Sequence, residues 1–278
     1  MKLCRYGKDG YEKPGMIDGE GKLRDLSKVV QNIGPNEISP RGLKMLSKVK
    51  PESLPVVSNN PRLGVPYVGI SKFVAIGLNY SDHAKEAGMP IPAEPIVFSK
   101  ATSCISGPND DIVQPKGSTK LDWELELGVV IGSKAQYVPV DAALEHVAGY
   151  CVVNDVSERA FQLATSQWDK GKGFDTAGPI GPWLVTTDEV RDPQNLDMWL
   201  DLNGKRMQSG NTRTMVFSVA KIVSHVSHYM TLLPGDIIAT GTPAGVAAGM
   251  KPPKWLQVGD VVEAEVEGIG VLRNKIVP

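Results

Sequence analysis

Cysteine is scarce. Cys4, Cys104 and Cys151 are the only three in 278 residues, too few and too scattered for a disulfide framework or a cysteine-rich zinc site. An excess of one charge is missing as well: 30 Lys and Arg stand against 31 Asp and Glu, leaving −1. No basic field therefore points to nucleic acid or an anionic membrane. No run approaches the roughly 18 apolar residues of a membrane helix, and the opening MKLCRYGKDG lacks the apolar stretch of a secretory signal. A GxxxxGKS/T phosphate loop is absent, Gly241, Gly245 and Gly249 lack the GxGxxG spacing, and no G-x-S-x-G elbow occurs, so a nucleotide site and a serine hydrolase go unsupported. With 41% hydrophobic and 22% charged residues, disorder is excluded. A soluble cytoplasmic protein is expected.

Glycine (29) and proline (21) are plentiful, which favours turns and strands over a helical bundle. Residues 1–70 read as a small irregular α+β unit closed by Pro51, Pro55, Pro61 and Pro66, with a domain boundary near 66–72. Strands are expected over Phe73–Leu78, Ile96–Ser99, Trp123–Ile131 and Gly149–Val153. Ser81 or Asp82 is positioned to cap a short helix through Glu86, with Gly88 as its stop. Helices are expected over 157–168 and 213–230, the latter from the stripe Val216, Val219, Ile222, Val223, Val226 and Met230. Met198–Leu202 followed by Asn203-Gly204 signals a hairpin, and Val261–Glu267 with Ile269–Ile276 a closing one around Gly268. Few helices and no regular βα alternation exclude Rossmann and TIM-barrel folds and leave a β-rich α+β fold.

Alternation puts Glu124 and Glu126 on one strand face, with Asp155 at the end of a second apolar run. A solvent-facing strand edge is the commoner fate of such acidic pairs. If the three converge, an all-carboxylate set suits Mg²⁺ or Mn²⁺. His83 and Glu86 stand at i, i+3, where a carboxylate can hold an imidazole as general base, though such pairs are common on surface helices. His225 and His228 share that spacing on a core-striped helix and read as structural or solvent-facing; His146 has no companion. Lys172, in Gly171-Lys172-Gly173, reads on its own as an exposed turn lysine.

Together these segments resemble the fumarylacetoacetate hydrolase family. The carriers are Gly77-Leu78-Asn79-Tyr80-Ser81-Asp82-His83-Ala84-Lys85-Glu86, Asp122-Trp123-Glu124-Leu125-Glu126, Asn154-Asp155-Val156-Ser157, Gly171-Lys172-Gly173-Phe174-Asp175-Thr176 with Pro179 and Gly181-Pro182, and Pro234-Gly235-Asp236-Ile237-Ile238 with Thr240-Gly241-Thr242-Pro243-Ala244-Gly245-Val246. The resemblance runs from about residue 70 to the C-terminus. It implies mixed β-sheets rolled around the active site over 71–278, a small N-terminal domain over 1–70, and a homodimer. It also implies one divalent ion, Mg²⁺ or Mn²⁺, on Glu124, Glu126 and Asp155, and hydrolysis of a carbon–carbon bond in a 2,4-diketo acid to pyruvate and a second acid. In that scheme Glu86 orients His83, which activates water; Lys172 stabilises the oxyanion; and Arg159, Gln162 and Thr242 contact substrate. The Ser157-Glu158-Arg159-x-Phe161-Gln162 form resembles the branch acting on diketo-deoxy sugar acids. Ala160 replaces a frequent aspartate and Ala177 a frequent aromatic residue, both in the block expected near substrate. Relatives also include decarboxylases of oxaloacetate, isomerases of hydroxyhepta-diene-dioate type and proteins named ureidoglycolate lyases; a silent metabolite-binding protein is the non-enzymatic alternative.

Overall fold

Two apolar runs, Leu125–Ile131 and Val147–Asn154, are buried along their whole length. Residues hidden on both faces belong to central strands, and in the computed structural model, which describes residues 1–278, these two pair antiparallel in the middle of a large sheet. From one edge its order is Leu23–Asp25, Lys13–Ile17, Lys2–Tyr6, Gly178–Thr186, Val147–Asn154, Leu125–Ile131, Ile237–Ala239, Phe73–Gly77 and Ile96–Lys100. The three N-terminal strands thus prolong the sheet, with Lys2 and Leu3 opposite Val185 and Leu184.

A second, five-stranded sheet carries the two anticipated hairpins, Asp197–Leu202 with Lys205–Asn211 and Val261–Val266 with Gly270–Val277. One apolar core runs from Leu3 to Ile276 through both sheets. The helices are short: α1 Pro40–Leu46, α2 Ser81–Glu86, α3 Arg159–Gln162, α4 Asp169–Lys172 and α5 Val219–Tyr229. None is long and apolar enough to cross a membrane.

Four local expectations change. The strand expected over Trp123–Ile131 starts only at Leu125: the Asn154 side chain accepts the Glu124 N–H at 3.1 Å, while the Glu124 carbonyl accepts the Asp155 N–H at 2.8 Å. The helix expected over 157–168 splits into the short strand Ser157–Glu158 and α3, α4 following after a turn. Past Gln162 the Thr165 hydroxyl accepts the Gln167 N–H, a local bond that competes with helix. The helix expected from 213 begins at Val219 under a Ser218 cap, because Val216 and Phe217 donate their N–H groups to Asn79 instead. Neither Ser81 nor Asp82 caps α2; Tyr80 holds that position without a side-chain bond. The stop is as expected. Gly88 sits at φ +66°, and the N–H groups of Met89 and Gly88 return to the carbonyls of Ala84 and Lys85, a Schellman closure.

Candidate active site

The bend at Glu124, the strand residue Glu126 and Asp155 just past a strand end bring three carboxylates together. All three are buried, and their ligand-type oxygens lie within 4.8 Å of one another. The solvent-edge alternative for the two glutamates is therefore excluded. They stand on the floor of a cavity of about 280 Å³ that opens between α2 and the α3–α4 segment.

Three buried cations surround the acids. Lys172 Nζ donates to Glu124 Oε2 at 2.6 Å and Asp155 Oδ2 at 2.7 Å, which makes it a buried site residue rather than an exposed turn lysine. Two of its three N–H bonds are thereby used. Arg159 donates to Asp122 at 2.8 Å, Glu124 at 2.6 Å and the Gln162 amide oxygen at 2.9 Å. Lys100 Nζ donates to Asp155 Oδ1 at 2.6 Å and also reaches the Lys172 carbonyl.

Burial pushes the Glu124 carboxyl up, but Lys172 and then Arg159 more than reverse this and hold it below the usual carboxylate range. For Glu126, burial and then the charges of Asp155 and Glu124 act together and raise it well above that range. Burial lowers the Lys172 ammonium, yet Asp155 and Glu124 outweigh it and keep it charged. Glu126 is the odd member. Its single hydrogen bond comes from the Gly241 N–H at 2.7 Å, and no cation touches it. A buried carboxylate facing two others without a cation of its own is what a divalent ion neutralises. The oxygen-only donor set fits Mg²⁺ or Mn²⁺.

α2 supplies the cavity's other chemical group. His83 Nδ1 lies 3.1 Å from Glu86 Oε2, and Glu86 accepts the Gly245 N–H with both oxygens, at 3.0 and 3.2 Å. Gly249 makes room for this carboxylate, since a Cβ there would fall 2.2 Å from Glu86 Cδ. His83 Nε2 is left without a protein partner. Thr242 and Gln162 line the same cavity, and the Thr242 hydroxyl accepts from Gln208 at 2.8 Å. The site residues expected from the sequence line this cavity, except Asp155, which is buried beside Glu124 and Glu126 without lining it.

Ala160 and Ala177 do not line the cavity. His146 pairs with the Ser133 hydroxyl at 2.9 Å, His228 with the Ser224 carbonyl at 2.7 Å, and His225 packs against Tyr229; all three stand outside it. Two residues were not anticipated. Asp122 takes Arg159 and the N–H groups of Trp123, Ala247 and Ala248, and its place two residues before Glu124 was the available signal. Lys100 gave none.

Residues 72–277 match the fumarylacetoacetate (FAA) hydrolase C-terminal family. The chain belongs to the fumarylacetoacetate hydrolase family and is an enzyme of that kind. A Burkholderia cenocepacia (strain HI2424) protein, whose name goes no further than a provisional "hydrolase", is 58% identical over 272 residues, 97% of this chain and 96% of that one. Among solved structures, the fumarylacetoacetate hydrolase of psychrophilic Exiguobacterium antarcticum superposes with TM-score 0.90 at 38% identity, covering 100% of this chain and 99% of the other. A 2-hydroxyhepta-2,4-diene-1,7-dioate isomerase from Mycobacterium marinum gives 0.77 at 32%, covering 100% and 98%. Maleylpyruvate hydrolase from Sphingobium sp. SYK-6, in complex with manganese(II) and pyruvate, gives 0.81 at 28%, covering 100% and 99%.

Proposed function

We propose that this enzyme hydrolyses a carbon–carbon bond of a 2,4-diketo acid, giving pyruvate and a second carboxylic acid, with Glu124, Glu126 and Asp155 holding one Mg²⁺ or Mn²⁺. One observation carries the reading: the His83–Glu86 pair lines the same small cavity as Glu124 and Glu126 of the buried carboxylate triad. The manganese and pyruvate bound by the Sphingobium hydrolase support it.

When bound, a divalent ion supplies Lewis-acid polarisation of the substrate's carbonyls. His83 removes a proton from water at Nε2, and the hydroxide adds to the C4 carbonyl. Glu86, held by the Gly245 N–H, fixes the ring and offsets the charge that His83 gains. The remaining N–H of Lys172 stabilises the oxygen that becomes negative at C4. The C3–C4 bond then breaks, C4 leaves as the carboxylic acid, and C3 takes up a proton to complete pyruvate. Arg159, bonded to Gln162, has unused guanidinium N–H groups for the substrate carboxylate, and Thr242 closes the cavity's other side.

The charges balance on this account. Within the buried network four carboxylates (Asp122, Glu124, Glu126, Asp155) meet three cations (Lys100, Arg159, Lys172), a net −1 that a divalent ion offsets. Calorimetric titration with Mg²⁺ or Mn²⁺ tests the triad: one ion per chain is expected, and none after Glu126→Gln with Asp155→Asn. Unchanged binding in that double variant would place the ion elsewhere. The isomerase relative supports a second reading, proton transfer on the same site without attacking water, which the reaction products distinguish.

A further inference from the structure

The polar side chains of the cavity come from Glu124 and Glu126, from α2, from the α3–α4 segment and from Thr242, and most make at least one bond within the protein. Lys172 and Arg159 hold carboxylates, Gln162 holds Arg159, Thr242 holds Gln208, and Glu86 holds His83. Outward from them the wall changes character. The Phe98 ring lies beside the Lys172 ammonium, 5.2 Å from its centroid. Trp168 meets Phe98 edge-on at 5.2 Å. Gly77 lets the indole approach the strand, since a Cβ there would stand 2.9 Å from the ring. Beyond Trp168 the rim is formed by Leu163, 70% exposed, and by Met89 from the segment after α2, 49% exposed. Leu78 and Val246 add further apolar lining. Apart from the Trp168 indole N–H, this outer half offers no strong side-chain hydrogen-bonding group.

The geometry points to an apolar subsite for the far end of the substrate: Phe98, Trp168, Leu163 and Met89 accept a hydrocarbon tail on C4 and disfavour the polyol tail of a diketo-deoxy sugar acid. The inference rests on the hydrolase reading for the placement of the head group at the floor. Its physical content is separate. A hydrocarbon tail removes the exposed surfaces of Leu163 and Met89 from water together with its own. A hydroxylated tail surrenders water and finds only the Trp168 indole N–H as a partner along these four side chains. Burial of one methylene is worth roughly fourfold in affinity, and an added hydroxyl in an apolar pocket costs on the order of 10–100-fold. At about 280 Å³ the cavity lies at the small end of ligand sites, which run about 300–1,000 Å³, so the gradient should stop after a few carbons.

The test uses 2,4-dioxo acids that differ only in the C4 tail: methyl, propyl, pentyl and dihydroxypropyl. Wild-type enzyme with Mg²⁺ is expected to show kcat/KM rising from methyl to propyl, with the dihydroxypropyl compound on the order of 10-fold or more below propyl. Trp168→Ala and Leu163→Ser should each lower kcat/KM for the pentyl tail more than for methyl. In parallel, calorimetry measures the affinity of 2-oxo acids with the same tails, which have no C4 carbonyl to attack. Affinity that is flat along the series, or as high for the dihydroxylated tail, overturns the subsite whatever the turnover. Affinity that climbs with the hydrocarbon tail while no dioxo acid is cleaved leaves the subsite standing and removes the hydrolase reading.

Discussion

Buried charge at the triad is held in place residue by residue. A lysine with no exposed side chain, such as Lys100, is stable because Asp155 and two carbonyls accept hydrogen bonds from its ammonium. Its bond to Oδ1 leaves Oδ2 of Asp155 to accept from Lys172. The His83 side chain makes no hydrogen bond to that network and bonds only Glu86. His83→Ala is therefore expected to lower kcat by about 10²–10⁴-fold, with the metal and substrate dissociation constants nearly unchanged; steady-state kinetics and calorimetry on the same preparation check this. Glu124, Glu126, Asp155, His83, Glu86 and Lys172 were legible from the sequence because they fall in short runs of fixed order. Lys100 was not: lysine is almost never fully buried, and its acid partner lies 55 positions further along the chain.

A second ionic cluster shows how charge ties the N-terminal residues to the rest. Glu12 binds Arg5 and Arg62, and Arg62 also grips Asp110. Burial pushes the Glu12 carboxyl up, but its bonds to Arg62 and to backbone, with the charge of Arg5, lower it below its ordinary value of 4.5. A depressed carboxylate stabilises the fold above its unfolded pKa, and that contribution is lost as pH falls through the folded one. Glu12→Gln should thus be less stable than wild type at pH 7, by about 1–3 kcal/mol. Denaturant titrations across pH should show the gap narrowing below pH 4.5. A gap that widens in acid contradicts the assignment.

At the scale of elements, α2 is the least anchored part of the site. Ala84 is its only buried residue, and the following residues from Ala87 to Ala93 are almost all exposed. Segments with so few buried contacts open locally at low cost. Hydrogen exchange over 80–93 is expected to be fast in the free enzyme and to slow when a substrate analogue and Mg²⁺ are bound, as a lid closing over the cavity requires. Equal exchange in both states counts against the lid. One of the elements read wrongly in advance shows how a distant side chain intervenes. The apolar stripe of Val219, Ile222, Val223 and Val226 is buried on α5, but Asn79, far away in sequence, accepts the N–H groups of Val216 and Phe217 and delays the helix to Val219. Periodicity reports which face is apolar; it does not report a distant side chain that competes for backbone bonds. The hairpin at Asn203-Gly204 was legible because turn and register are both local.

For the whole molecule, the central strands of the large sheet carry the triad, and the neighbouring α2, α3 and α4 close over it. The N-terminal strands reach this unit through the Lys2–Tyr6 pairing, the shared apolar core and the Arg62 cluster, long-range contacts that no local pattern reveals. The homodimer implied by family resemblance remains a proposal for the assembled enzyme. Light scattering should give twice the chain mass of 29.9 kDa, and a single-chain mass at micromolar concentration contradicts it. The central claim, carbon–carbon hydrolysis dependent on a divalent ion, is tested most directly by the products. NMR of a hydrocarbon-tailed 2,4-dioxo acid incubated with enzyme and Mg²⁺ should show pyruvate and the tail carboxylic acid appearing one to one, and neither in excess chelator. Release of carbon dioxide, a rearranged acid that keeps every carbon, or undiminished cleavage in chelator would contradict the account.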